Sequence, residues 1–132
     1  LFLSGCGKKG PLLFPEDFSP AAVRELAAAS GTRGMGLSWK PPITTVKGEE
    51  LVNLAGFIIR RYEIGNAGVV ENSTLLGRIP YDNSSGSLDL EEVRIDTVDP
   101  SWNKNLRYRY EVTAFDDEGY EGQPSYIAVL SE

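Results

Sequence analysis

The clearest pattern along the chain is the strict alternation within residues 106–119, where Tyr108, Tyr110, Val112 and Ala114 fall on one side and Arg107, Arg109, Glu111 and Thr113 on the other. Period two marks a strand with one face on a core and the other in water, here ended by a turn at Gly119. Residues 54–64, rich in β-branched and aromatic side chains, predict another strand, followed by a turn over 65–68. Residues 35–40 alternate large apolar with small or polar side chains and stop at Pro41-Pro42, which cannot continue a ladder. A shorter strand over 74–79 ends at Pro80. Residues 92–98 place Val93, Ile95 and Thr97 on one face before Asp99-Pro100, and 125–130 form a last strand. The polar stretches 43–53 and 82–87 read as loops.

In residues 19–29 local propensity and pattern conflict. Ser19 suits an N-cap, Pro20 suits the first helical position, and the alanines favour helix. Yet Val23, Leu26 and Ala28, followed by Leu37, Trp39 and Pro42, resemble the first two strands of a fibronectin type III domain. Gly56, Phe57 and Ile59 are similar to that family's C strand, and Tyr108, Tyr110, Val112 and Ala114 to its F strand. The resemblance implies an all-β, fibronectin type III-like (immunoglobulin-like) sandwich of two sheets and about seven strands over 19–132. It makes 23–28 an edge strand in place of a helix. It also implies a structural core of Trp39, Phe57, Ile59, Tyr108, Tyr110 and Val112. Tyr108 becomes the "tyrosine corner", its hydroxyl bonded to upstream backbone, with Trp102 where the family usually has Leu.

At 132 residues the chain holds one domain with a short appendage, large enough for a core without disulfides or metal. Thirteen Lys and Arg against nineteen Asp and Glu leave a net charge of -6, which opposes binding to nucleic acid and to a bare anionic lipid surface. Histidine is absent and Cys6 is the single cysteine, which removes an internal disulfide, a Cys/His catalytic pair and a mixed Cys/His zinc site. Glu49-Glu50, Glu91-Glu92 and Asp116-Asp117-Glu118 are sequence neighbours whose side chains diverge on strands or loops, so none is by itself a glycosidase pair. The acidic loops 82–92 and 116–121 do not fit a calcium loop of the EF-hand type, and Gly31, Gly34 and Gly36 fit a turn before a strand, not a phosphate cradle. The sequence therefore assigns no catalytic residue, metal or cofactor. Arg60, Arg107 and Arg109 would share an outward face if their strands adjoin, either as an anion site or in cross-strand pairs with Glu111 and Glu63. Pairing is the reading favoured here.

The one cysteine closes Leu3-Ser4-Gly5-Cys6, which resembles the lipobox of bacterial lipoproteins. That resemblance implies that 1–5 are the end of a signal peptide and that the Cys6 thiol receives a diacylglyceryl group. Two or three acyl chains would anchor the protein stably where one holds marginally. Gly7, Gly10, Pro11 and Pro15 defeat regular structure, so 6–18 read as the lipidated Cys and an extended tether. Cys6-Gly7, Lys9-Gly10-Pro11-Leu12 and Pro15 also resemble the start of short lipoproteins associated with the lipopolysaccharide translocon, which implies docking of Leu12, Leu13 and Phe14 on a membrane partner; the alternative is a spacer whose apolar residues pack on their own domain. Lys8 is compatible with sorting to the outer membrane. The expectation is a lipid-anchored lipoprotein of the bacterial envelope whose sandwich binds an envelope protein or a glycan. The alternative is an assembly factor acting at the translocon.

Overall fold

Apolar residues at every second position need another apolar face to cover them, and the chain supplies one by folding into two sheets. A computed structural model describes residues 15–82 and 93–130; Cys6, Leu12, Leu13 and Phe14 lie outside the described residues, as does most of the loop expected at 82–87. The strands are β1 (Arg24–Gly31), β2 (Gly34–Lys40), β3 (Leu54–Ile64), β4 (Val70–Pro80), β5 (Ile95–Asp99), β6 (Arg107–Asp116) and β7 (Ser125–Val129). All pairings are antiparallel. One sheet runs β1-β2-β5 and the other β4-β3-β6-β7. The described residues thus form the all-β, two-sheet sandwich that the family resemblance implied. No helix among them is long and apolar enough to cross a membrane.

The core lies between the sheets. Met35, Leu37 and Trp39 come from β2, Phe57 and Ile59 from β3, and Tyr108, Tyr110, Val112 and Ala114 from β6, all buried in one cluster. Trp39 meets Phe57 edge-on across the sandwich with ring centroids 5.4 Å apart. Phe57 meets Tyr81 in the same way at 6.0 Å. Each large side chain buried here contributes about 1.5–3 kcal/mol, and edge-to-face ring pairs add about 0.5–1.5 kcal/mol. The indole nitrogen of Trp39 is buried without a partner, a cost these contacts offset.

Packing also decides the conflict at 19–29. Ser19 is buried, Pro20 bridges to Thr45, and β1 pairs with β2 from Ala27↔Ser38 to Gly31↔Gly34. Alanine's helical advantage is at most about 0.7 kcal/mol per residue over ordinary residues. A strand instead pairs one side of β2 and brings Val23, Leu26 and Ala28 onto the core. Register slips between Arg24 and Ala27, with Glu25 at φ 54, an irregularity of the kind that edge strands accommodate. Two elements depart from the pattern reading. β4 starts at Val70, not Thr74, because its pairing with β3 runs on to Ile64↔Val70 around a 3-10 turn at Asn66–Gly68. The stretch read as tether contains a 3-10 turn at Pro15–Phe18.

Candidate interaction surface

Charged side chains leave β3 on both faces. On the inner face Arg61 reaches the end of β5, where its Nη1 donates to Asp99 Oδ2 at 2.8 Å. Tyr110 donates its hydroxyl to the same oxygen at 2.6 Å, and the backbone N–H and hydroxyl of Ser101 supply Oδ1. The Asp99 side chain is 1% exposed. Burial alone would push its carboxyl up, but the bonds from Tyr110, Arg61 and Ser101 together hold it below the usual carboxylate value. Burial first, then the bond to Asp99, pushes the Tyr110 phenol far above its usual range. These groups are spent on joining the sheets.

The same geometry corrects the tyrosine corner. The upstream hydroxyl bond belongs to Tyr110, not Tyr108, and its acceptor is a side chain, not backbone. Tyr108 lies beneath Arg61, whose guanidinium carbon is 4.8 Å from the ring centroid. The reason is Asp99: a carboxylate buried at the end of β5 draws the nearest core hydroxyl, while Arg61 takes up the space over Tyr108. Trp102 packs against the core with its indole nitrogen buried and unpartnered.

On the outer face of the four-stranded sheet, register sets Arg60 opposite Glu111, Tyr62 opposite Arg109, and Glu111 opposite Tyr126. Arg60 donates to Glu111 at 3.1 Å and to Glu121 through both terminal nitrogens at 3.2 Å. The bond to Glu121 is the largest influence on Arg60 and, with Glu111, raises its pKa against the opposing effect of burial. Tyr62 donates its hydroxyl to Glu111 at 3.2 Å. Burial first, and the Glu111 carboxylate second, raise the phenols of Tyr62 and Tyr126. Arg109 lies between these rings, 5.2 Å from the Tyr62 centroid and 4.9 Å from that of Tyr126. Arg107 donates to the Gly65 carbonyl at 2.8 Å. The three arginines therefore do not form one anion site. Arg60 is paired with Glu111 as expected, but Glu63 is in register with Tyr108 and so lies on the inner side, away from Arg60 and Arg109.

The charged groups of this surface are largely engaged with one another. Its carboxylates accept from arginine and tyrosine, and Asp116 Oδ1 is spent on the N–H groups of Glu118 and Tyr120 in the turn before β7. Among the described residues no three His, Cys, Asp or Glu are grouped to hold a metal ion. Sequence reasoning missed Tyr62, Tyr126 and Glu121 here, and Arg61 and Asp99 on the inner face. A signal existed for Arg61, whose parity in β3 matches inward Phe57 and Ile59. Tyr126 meets Arg109 only once β7 has docked.

No family model matches the sequence, and no curated protein matches it significantly. Among solved structures the chain is similar to the third fibronectin III domain of human KIAA0343 protein, with 14% identity and a TM-score of 0.55, over 95% of this chain and 93% of that domain. It is also similar to the twitchin kinase region from C. elegans (Fn31-NL-kin-CRD-Ig26), with 16% identity and a TM-score of 0.55, over 85% of this chain but 17% of that one. At such identities the likeness is one of fold. The chain has a fibronectin type III-like fold.

Proposed function

We propose that this chain is the non-catalytic binding module of a lipid-anchored lipoprotein of the bacterial envelope, with Cys6 as the lipidated residue, 6–18 as its tether, and an envelope protein or glycan as partner. The observation that carries the binding role is how the charged groups are used. Asp99, Arg61, Arg60 and Glu111 are engaged in bonds that hold strands together, leaving no free acid/base pair among them, while Tyr126 stays 51% exposed on a rigid sheet face. The anchor is supported by Leu3-Ser4-Gly5-Cys6.

The anchor is tested by expressing the protein with a complete signal peptide, beside a Cys6→Ala version, and measuring intact mass and detergent partitioning. An acyl mass on a chain beginning at Cys6, absent from the variant, is the expected result. Two unacylated, water-partitioning products would overturn the anchor. Deleting 8–15 while keeping Cys6 and the sandwich should leave partner capture intact. Loss of capture would instead support the translocon reading, in which Leu12, Leu13 and Phe14 make the contact.

A further inference from the structure

We infer that Arg109, held between Tyr62 and Tyr126 on the outer face of the four-stranded sheet, receives a carboxylate from an acidic segment of a partner protein. The inference rests on reading the sandwich as a binding module, and it names the chemistry of the partner.

Arg109 is conspicuous because its neighbours are accounted for. Arg60 is paired with Glu111 and Glu121, Arg61 with Asp99, and Arg107 with the Gly65 carbonyl. Arg109 has no hydrogen-bond acceptor or carboxylate among the described residues, and its Nε is buried with no partner at all. A buried donor on a cation is costly to leave unmet, and a cation to which the described residues supply no anion is suited to one from outside. The stacking explains how the side chain is held. With Tyr62 on β3 to one side and Tyr126 on β7 to the other, the guanidinium plane is fixed before any ligand arrives. Opposite Arg109 on β7 stands exposed Ala128, a small side chain that carries no charge.

The surroundings select among anions. Glu111 and Glu121 lie on the same face, so a doubly charged phosphate is repelled more strongly than a singly charged carboxylate. Two terminal N–H groups in one plane match the two oxygens of a carboxylate. Arg109 lies over one face of Tyr62 and one face of Tyr126, which leaves a sugar fewer ring faces to stack on. Tyrosine and arginine together are instead the side chains enriched at protein interfaces.

The test is a titration of the full 132-residue, isotope-labelled chain with a short acetylated polyglutamate peptide at low salt, followed by NMR. Saturable shifts of the Arg109 side-chain N–H and of the Tyr62 and Tyr126 rings are expected. Arg109→Gln should weaken binding on the order of tenfold, the loss of one charge-assisted bond. Arg109→Lys should recover only part of it, since the charge returns without the planar fork. Unchanged Trp39 and Phe57 resonances in both variants establish that the fold is kept. Equal binding by Arg109→Gln, or full binding by Arg109→Lys, overturns the assignment. Tighter binding of a uronate oligomer of equal charge also overturns it, in favour of a glycan. Acylation of Cys6 is read separately, so failure here leaves the anchor standing and failure of the anchor leaves this site standing.

Discussion

The Tyr110 hydroxyl donates to Asp99 Oδ2 over 2.6 Å, joining the middle of β6 to the end of β5 and so one sheet to the other. Burial and the Asp99 carboxylate both favour the protonated phenol, so it remains a donor at neutral pH. Tyr110→Phe keeps the ring in the core and removes only that donor. Stability should fall by about 1.5–3 kcal/mol, the range for a hydrogen bond to a charged group. Urea unfolding checks this, with the midpoint lowered and the slope unchanged. A loss near zero would mean that Arg61 and Ser101 satisfy the carboxylate alone.

Asp99 should also mark the acid limit of the fold. Its folded pKa lies below the ordinary value near 3.9, so its contribution to stability is present above that value and is lost as pH falls through the folded one. Asp99→Asn should therefore flatten the dependence of stability on pH below about 4, relative to wild type. At pH 7 the same variant leaves Arg61 largely buried without its anion, at a cost of about 3 kcal/mol. Denaturation midpoints at pH 7 and in acid, measured side by side, separate the two effects. A wild-type acid slope in the variant would assign the acid sensitivity to other carboxylates.

Gly34 enters β2 with φ 132 and its α-carbon against the Asp99 backbone, so a Cβ there would collide with the Asp99 carbonyl oxygen. Backbone on both sides cannot yield as a flexible side chain would. Gly34→Ala combines left-handed strain with this clash and should cost at least about 3 kcal/mol. Gly68→Ala provides the comparison, because its φ is 75 but nothing lies within 4 Å of the added methyl. It should cost only the conformational part, about 1–2 kcal/mol. Thermal unfolding of both distinguishes crowding from strain, and equal losses would remove the clash from the argument.

Exposed Ala27 in β1 tests the strand directly. In a strand, Ala27→Thr should stabilise by a few tenths of a kcal/mol, through β-propensity and contact with Ser38 opposite. In the helix that local propensity favours, the same change would destabilise by a similar amount. The sign of the shift in midpoint decides between them.

The sequence by itself determined the strands whose information is local. Alternation over β2, β3 and β6 assigns each residue to a face, which is why Trp39, Phe57, Ile59, Tyr108, Tyr110 and Val112 could be named as core from their parity and the family resemblance, and why all six are buried. The segment around Ala27 was not legible from its own residues, because alanine favours helix and only the free side of β2 makes a strand cheaper. The start of β4 was equally a matter of how far pairing with β3 continues. Polar partnerships were hidden for the same reason: Arg61 and Asp99 are separated by 38 positions, and the outer face of Arg109 is completed by Tyr126 from another strand. Side-chain parity is written into each segment. Which hydroxyl reaches Asp99, and which arginine finds no anion among the described residues, depend on register between segments, and that register is fixed only when the two sheets close on their common core.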